Sequence, residues 1–213
     1  MSDHDDFAFD VAPGIPAPLP KGEEVLWQGR PDTSALAREA FKIRWIAGYM
    51  GLLVLWKAGS GFADGGAALA VLRGLPYVVL ALAAVLVVWL LAWAQARATV
   101  YSVTSARVLM KIGAALSVTY NIPFAQVATA RLDLKPTGTG TIALETLGDT
   151  RLAYAALWPH LRPGKMRKTE PALRCIPDAE RVARLLAEAA ETRIAMPVIT
   201  RANPAMGDAM AAE

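Results

Sequence analysis

Cysteine is almost missing from this chain of 213 residues: Cys175 stands alone, which excludes an internal disulfide and any multi-cysteine metal site. Histidine is nearly as scarce, with only His4 and His160. A triad or a two-histidine metal site would have to recruit His4 from an acidic leading segment. There is no G-x-S-x-G and no H-E-x-x-H, and no catalytic, cofactor-binding or metal-binding residue is expected. The glycines of Thr137-Gly138-Thr139-Gly140 superficially resemble a phosphate loop. No Lys-Ser/Thr follows them and the flanking pattern is strand to strand, so they read as a turn. The start, MSDHDDFAFD, lacks a basic n-region and an apolar h-region, so membrane insertion is expected to rely on internal segments.

Charge is missing most informatively between Gly74 and Ala94 (GLPYVVLALAAVLVVWLLAWA). As a helix this run is about 31 Å long, matching the roughly 30 Å hydrocarbon core of a bilayer. A weaker partner runs from Trp45 to Ala63 and is interrupted by Lys57. The stretch between Arg44 and Lys57 is only about 18 Å as helix, too short to span, whereas continuing to Ala63 requires Lys57 to snorkel toward the headgroups. Trp45, Trp56, Tyr77, Trp89 and Trp93 fall near segment ends, where aromatic belts form. The competing reading is a core helical hairpin of a soluble protein. Neither apolar segment carries a histidine, the usual axial ligand of a membrane-embedded tetrapyrrole metal.

Hydrophobic residues make up 54% of the chain and the net charge is only +3, so the distribution of charge matters more than its sum. Arg38, Lys42 and Arg44 precede the first segment, and Arg97, Arg107 and Lys111 follow the second. The positive-inside rule then predicts a hairpin of two spans, about 45–63 and 74–94, with both termini in the cytoplasm. Three spans, dividing the region from Trp45 to Ala94 differently, stay open. Ala47 and Gly51 form a small-xxx-small pair compatible with a homodimer.

The whole chain reads as four parts. Residues 1–31 are an extended acidic and proline-rich lead-in with one short strand at 24–28. Asp32, Thr33 and Ser34 are N-cap candidates for a helix running from about Ser34 into the first apolar segment, so 32–97 forms the membrane unit. From Ala98 the period becomes two: Leu116, Val118, Tyr120 and Ile122 alternate with polar residues, as do Ala128, Ala130, Leu132 and Leu134. This predicts five or six short antiparallel strands, a small sandwich or open barrel. Residues 155–177 read as irregular. Asp178 to about Arg193 is an amphipathic helix with Val182, Leu185, Leu186 and Ala189 as its apolar stripe, closing a domain over 98–195. The tail 196–213 reads as disordered.

Arg162, Lys165, Arg167 and Lys168 form a cationic run. It is either a solvated loop or a docking patch for anionic headgroups or an acidic protein partner. Nucleic acid is not expected, because no aromatics are interleaved.

Gly22-Glu23-Glu24-Val25-Leu26-Trp27-Gln28-Gly29-Arg30-Pro31, the apolar pair, Tyr101-Ser102-Val103-Thr104-Ser105-Ala106-Arg107-Val108 and the Gly-Thr-Gly turn resemble membrane-anchored bacterial PH-like domains. The segments 157–163 (LWPHLRP) and 170–183 (EPALRCIPDAERVA) make the chain similar to the PuhB family, photosynthetic-complex assembly proteins of purple bacteria, over about residues 7–192. The resemblance implies an α+β membrane protein: a transmembrane hairpin carrying a small antiparallel β domain of PH type closed by the C-terminal helix. It implies a non-enzymatic assembly factor in the inner (intracytoplasmic) membrane, with reaction-centre and light-harvesting 1 polypeptides and membrane lipid as partners and no cofactor. The family offers no active-site residue to transfer. The alternative is a membrane-anchored module binding anionic lipid headgroups or an acidic protein.

Overall fold

The computed structural model describes residues 14–15, 17–114, 117–147, 153–164 and 169–195. The predicted disordered tail, residues 1–13 and 16 of the lead-in, Leu116, Lys165, Arg167 and Lys168 lie outside the described residues.

Among the described residues seven strands form two antiparallel sheets. The first has the order β1 (Val25–Gly29), β2 (Val100–Thr104), β3 (Arg107–Ile112), β4 (Val118–Pro123). The second has the order β5 (Val127–Leu134), β6 (Thr139–Thr146), β7 (Ala172–Pro177). The short strand of the lead-in is therefore an edge of the first sheet, paired to β2 with Trp27 opposite Val103. What joins them is a charge clamp. The Glu23 carboxylate accepts from Arg107 Nε at 2.8 Å and Nη2 at 2.6 Å, and from Thr104 Oγ1 at 2.7 Å. Two motifs 84 residues apart thus close on each other.

Both sheets share one core. Tyr101, Val108, Met110 and Ile112 of the first and Ile142, Leu144, Leu173 and Ile176 of the second are all buried in it. The helix α4 (Ala179–Ala195) closes this core with Val182, Leu186 and Ala189, as its apolar stripe predicts, while Leu185 is partly buried. One strand departs from expectation. In β5 every residue after Val127 is exposed, so both of its faces meet solvent despite the alternation.

Residues 155–177 are not irregular throughout. A short helix, α3 (Tyr154–Leu157), opens the stretch and β7 ends it. The strand escapes a period-two reading because it is bulged: Gly140 pairs with Ile176 but Ile142 with Leu173, so β7 holds one residue more than β6. Cys175 occupies the bulge at φ 53°. This turns its side chain out of the main core into a second cluster with Ala35, Leu36 and Ala96.

The helix α1 (Thr33–Glu39) is capped by Asp32, whose Oδ1 accepts from Ala35 N at 2.7 Å. It does not run on into the apolar segment. Ala40 N and Phe41 N both donate to Leu36 O, and Lys42 adopts φ 55°, which redirects the chain before α2 begins at Ile43. The break lets α1 lie across the far end of α2, where Ala35 and Leu36 meet Ala96.

The long apolar helix α2 (Ile43–Ala98) is interrupted once, at Gly65 (φ −165°, ψ 25°) and Gly66 (φ 72°, ψ −162°). Only glycine readily takes the second conformation. The chain reverses there. A Cβ on Gly74 would lie 3.2 Å from Ala58 Cβ, and one on Gly61 would lie 2.6 Å from Leu69 O. In an unbroken helix, residues 58 and 74 would stand about 24 Å apart. Asp64 pairs with Arg73 across the turn, and Lys57 Nζ sits 5.5 Å from the Tyr77 ring centroid, so its charge is directed onto an aromatic face. The arms pack through small residues and leave their large side chains outward: Trp45, Leu55, Leu72 and Leu82 are all more than 60% exposed. Of the most apolar 18-residue window of α2, only 6% is buried. A helix in the core of this chain's own fold would be mostly covered, and these arms are not. By length and composition α2 is a helix able to cross a membrane.

Candidate functional site

Where the two arms return to the β domain, a cleft of about 890 Å³ opens between the foot of the first arm and the second sheet. Its lining carries seven Lys or Arg side chains and two carboxylates, Glu39 and Asp133. Arg38, Lys42 and Arg44 come from the end of α1 and the start of α2, with Trp45 beside them at 80% exposure. Arg131 and Lys135 come from β5 and the turn after it, Arg162 from the segment that leads to β7, and Arg174 from β7 itself.

These cations are not equivalent. Arg174 is buried and structural: its Nη1 donates to Pro159 O at 3.0 Å and its Nη2 to Glu39 O at 3.1 Å, fastening α1 to the 158–163 segment. Arg162 donates to Glu170 Oε2 at 2.9 Å, whose side chain is 1% exposed. Arg131 and Lys135 pair with Glu145 and Asp133 at the surface, contacts worth a fraction of a kcal/mol to about 1 kcal/mol. Asp133 holds the Lys135 ammonium above its ordinary pKa, through a hydrogen bond first and burial against it second. Arg38, Lys42 and Arg44 are exposed and make no ion pair with another described residue. The free positive charge is therefore concentrated on the wall nearest the apolar arms.

Behind the cleft lies a buried polar chain. Arg174 N donates to Tyr101 Oη at 3.2 Å, Tyr101 Oη lies 2.6 Å from His160 Nδ1, and Thr99 Oγ1 lies 3.0 Å from His160 Nε2. Each ring nitrogen of His160 thus has one hydroxyl partner, the donor and acceptor roles following the imidazole tautomer. Burial, aided by the Arg174 charge, pushes the His160 imidazole down to about 3, so it is neutral near pH 7. Burial likewise raises the Tyr101 phenol far above its usual range. The Cys175 thiol is pushed up to about 12 by burial and then by the Glu39 charge. None of these groups is poised for acid–base or nucleophilic work. No cluster of three or more metal-ligating side chains exists among the described residues.

Of the cationic run singled out in the sequence, only Arg162 is described, and it lines the cleft with its charge largely answered by Glu170. Arg38, Lys42 and Arg44 were legible as topology signals but not as site residues. Nothing in the sequence brings them opposite β5, and the signal lies in three cations within seven positions directly before an apolar run. Ala47, Gly48 and Gly51 face outward, with nothing within 4 Å of a Cβ on either glycine.

Comparison with known proteins agrees with this architecture. Residues 65–190 match the family model described as bacterial PH domain, which covers more than half of the chain and takes in the second arm, β2–β7 and most of α4. A protein of Rhodobacter capsulatus described as an uncharacterized 23.7 kDa protein in the puhA 5′ region is 50% identical over 214 residues, covering 99% of each chain. No solved structure matches the chain. With two antiparallel sheets, a closing C-terminal helix and a family match across them, the chain belongs to the bacterial PH domain family.

Proposed function

We propose that this protein is a membrane-anchored, non-enzymatic assembly factor for the photosynthetic reaction centre and its light-harvesting 1 antenna. The arms of α2 cross the bilayer twice, both chain ends lie on the cytoplasmic side, and the β domain stands at the headgroup surface. The observation that carries the membrane part is the outward display of large apolar side chains along both arms. The first arm, Ile43 to Asp64, is about 33 Å long as helix, a bilayer thickness. The second is longer, and its last turns, with Ala92 and Ala96 buried, belong to the β domain.

The assembly role is supported by the full-length relative in the puhA 5′ region, a photosynthesis gene context, and by the likeness to the PuhB family. It is also supported by the chemistry that is present. The buried titratable groups are structural, while the exposed features are a lateral apolar surface and a cationic cleft beside it. Those suit holding partner helices and their polar ends during assembly, and the open Ala47–Gly51 face suits close helix approach.

Deleting the gene in a photosynthetic host tests this. Reaction-centre and light-harvesting 1 absorbance in isolated membranes should fall while bacteriochlorophyll synthesis continues, and the tagged protein should co-purify with their polypeptides in mild detergent. Normal complex levels in the deletion strain sink the proposal.

A further inference from the structure

We propose that the cleft between α1, the foot of the first arm and β5 binds the phosphate of an anionic phospholipid in the cytoplasmic leaflet. The inference rests on the membrane orientation proposed above. Arg44 and Trp45, which line the cleft, are the second and third residues of the first arm. A cation followed by an exposed indole at the start of the first arm marks the depth at which that arm leaves the hydrocarbon. The cleft mouth then lies at the level of the headgroups.

Its chemistry follows that placement. Trp45 and Leu132, both exposed, form an apolar lip, and Arg38, Lys42 and Arg44 stand beside it with no described carboxylate answering them. A lipid presents the same gradient, glycerol and acyl ester above and phosphate below. A soluble acidic segment would have no use for the apolar lip. The volume, about 890 Å³, is within the usual range for a small-molecule site and exceeds the needs of one headgroup phosphate. Arg174 keeps the base rigid through its two backbone carbonyls, so the cationic wall is held in place before any ligand arrives.

Native mass spectrometry of the full chain, taken from vesicles of equal phosphatidylglycerol and phosphatidylethanolamine, tests this directly. The wild type should retain phosphatidylglycerol in preference, and the Arg38→Gln/Lys42→Gln/Arg44→Gln variant should lose that preference by roughly fivefold per cation removed. Because those three cations also orient the arms, Arg131→Gln/Lys135→Gln serves as a second variant across the cleft and should weaken the preference too. Arg181→Gln/Arg184→Gln, on α4 outside the cleft, should leave it unchanged. An unselective wild type overturns the proposal, as does full selectivity in both cleft variants. Inorganic phosphate displacing the lipid at equal concentration assigns the site to a soluble anion instead. Cleft variants that keep their lipid but lose co-purifying polypeptides assign it to a protein partner. None of these readouts depends on reaction-centre levels, so the assembly role stands or falls separately.

Discussion

At the scale of single residues, the most consequential side chains are polar groups held where water does not reach. His160 is fully buried between Tyr101 and Thr99, and its imidazole stays neutral down to about pH 3. In the unfolded chain it titrates near 6.5. Between those values the unfolded state binds the extra proton, so stability is fully present above about pH 6.5 and declines as pH falls toward 3. Glu23 acts in the same sense at lower pH. Burial raises its carboxyl, the Arg107 and Thr104 hydrogen bonds outweigh that, and its contribution is lost as pH drops through its lowered value. Thermal melting of the detergent-solubilised protein, followed by tryptophan fluorescence, should show a Tm that falls from pH 7 to pH 4. In His160→Gln the same slope should be shallower, even if the starting Tm is lower. Cys175 sits at φ 53°, a conformation in which a β-branched side chain collides with its own backbone. Cys175→Val should therefore cost about 2 kcal/mol, read as a lower denaturant midpoint, despite its similar size and apolarity.

At the scale of elements, the decisive feature is the reversal at Gly65–Gly66. Helix-forming composition alone would carry α2 straight through, and the two glycines are the place where a left-handed step is cheap. Close arm packing then follows from Ala58, Gly61 and Gly74, which bring backbones together without bulky side chains. Ala58→Cys/Gly74→Cys should form a disulfide in membranes on mild oxidation, seen as a mobility shift reversed by reductant. Two cysteines on one straight helix at that spacing could not reach each other. The native Cys175, 1% exposed, should not compete for the bridge. The β5 strand illustrates the opposite case, in which alternation in the sequence does not translate into burial. Ala130 and Leu132 point away from Arg131 as the period demands, but neither set is buried.

At the scale of the whole molecule, a β domain, a pair of apolar arms and a cationic cleft meet at one junction. The cluster of Ala35, Leu36, Ala96 and Cys175 holds α1, the end of α2 and β7 together there. The cleft cannot shift relative to the arms without breaking that packing. Under the two-span orientation, alkaline phosphatase inserted after Gly65 should be active on the periplasmic side, while green fluorescent protein fused to the C-terminus should fluoresce in the cytoplasm. The reverse pattern, or cytoplasmic signals at both positions, would refute the orientation.

The sequence by itself determined the apolar arms, the period-two region, the turn at 136–138, the Asp32 cap and the stripe of α4. Each depends on neighbours within a few positions, where composition and spacing dominate the local free energy. Tertiary structure alone decided the rest. The edge strand β1 finds its sheet through Glu23 and Arg107, 84 residues apart. Strand β7 hides behind a bulge and a buried arginine whose donors are answered by Pro159 and Glu39. The cleft assembles cations from α1, α2, β5 and the return to β7, which no linear spacing encodes. Long-range electrostatics and backbone hydrogen bonding placed those groups together, and both act through space rather than along the chain.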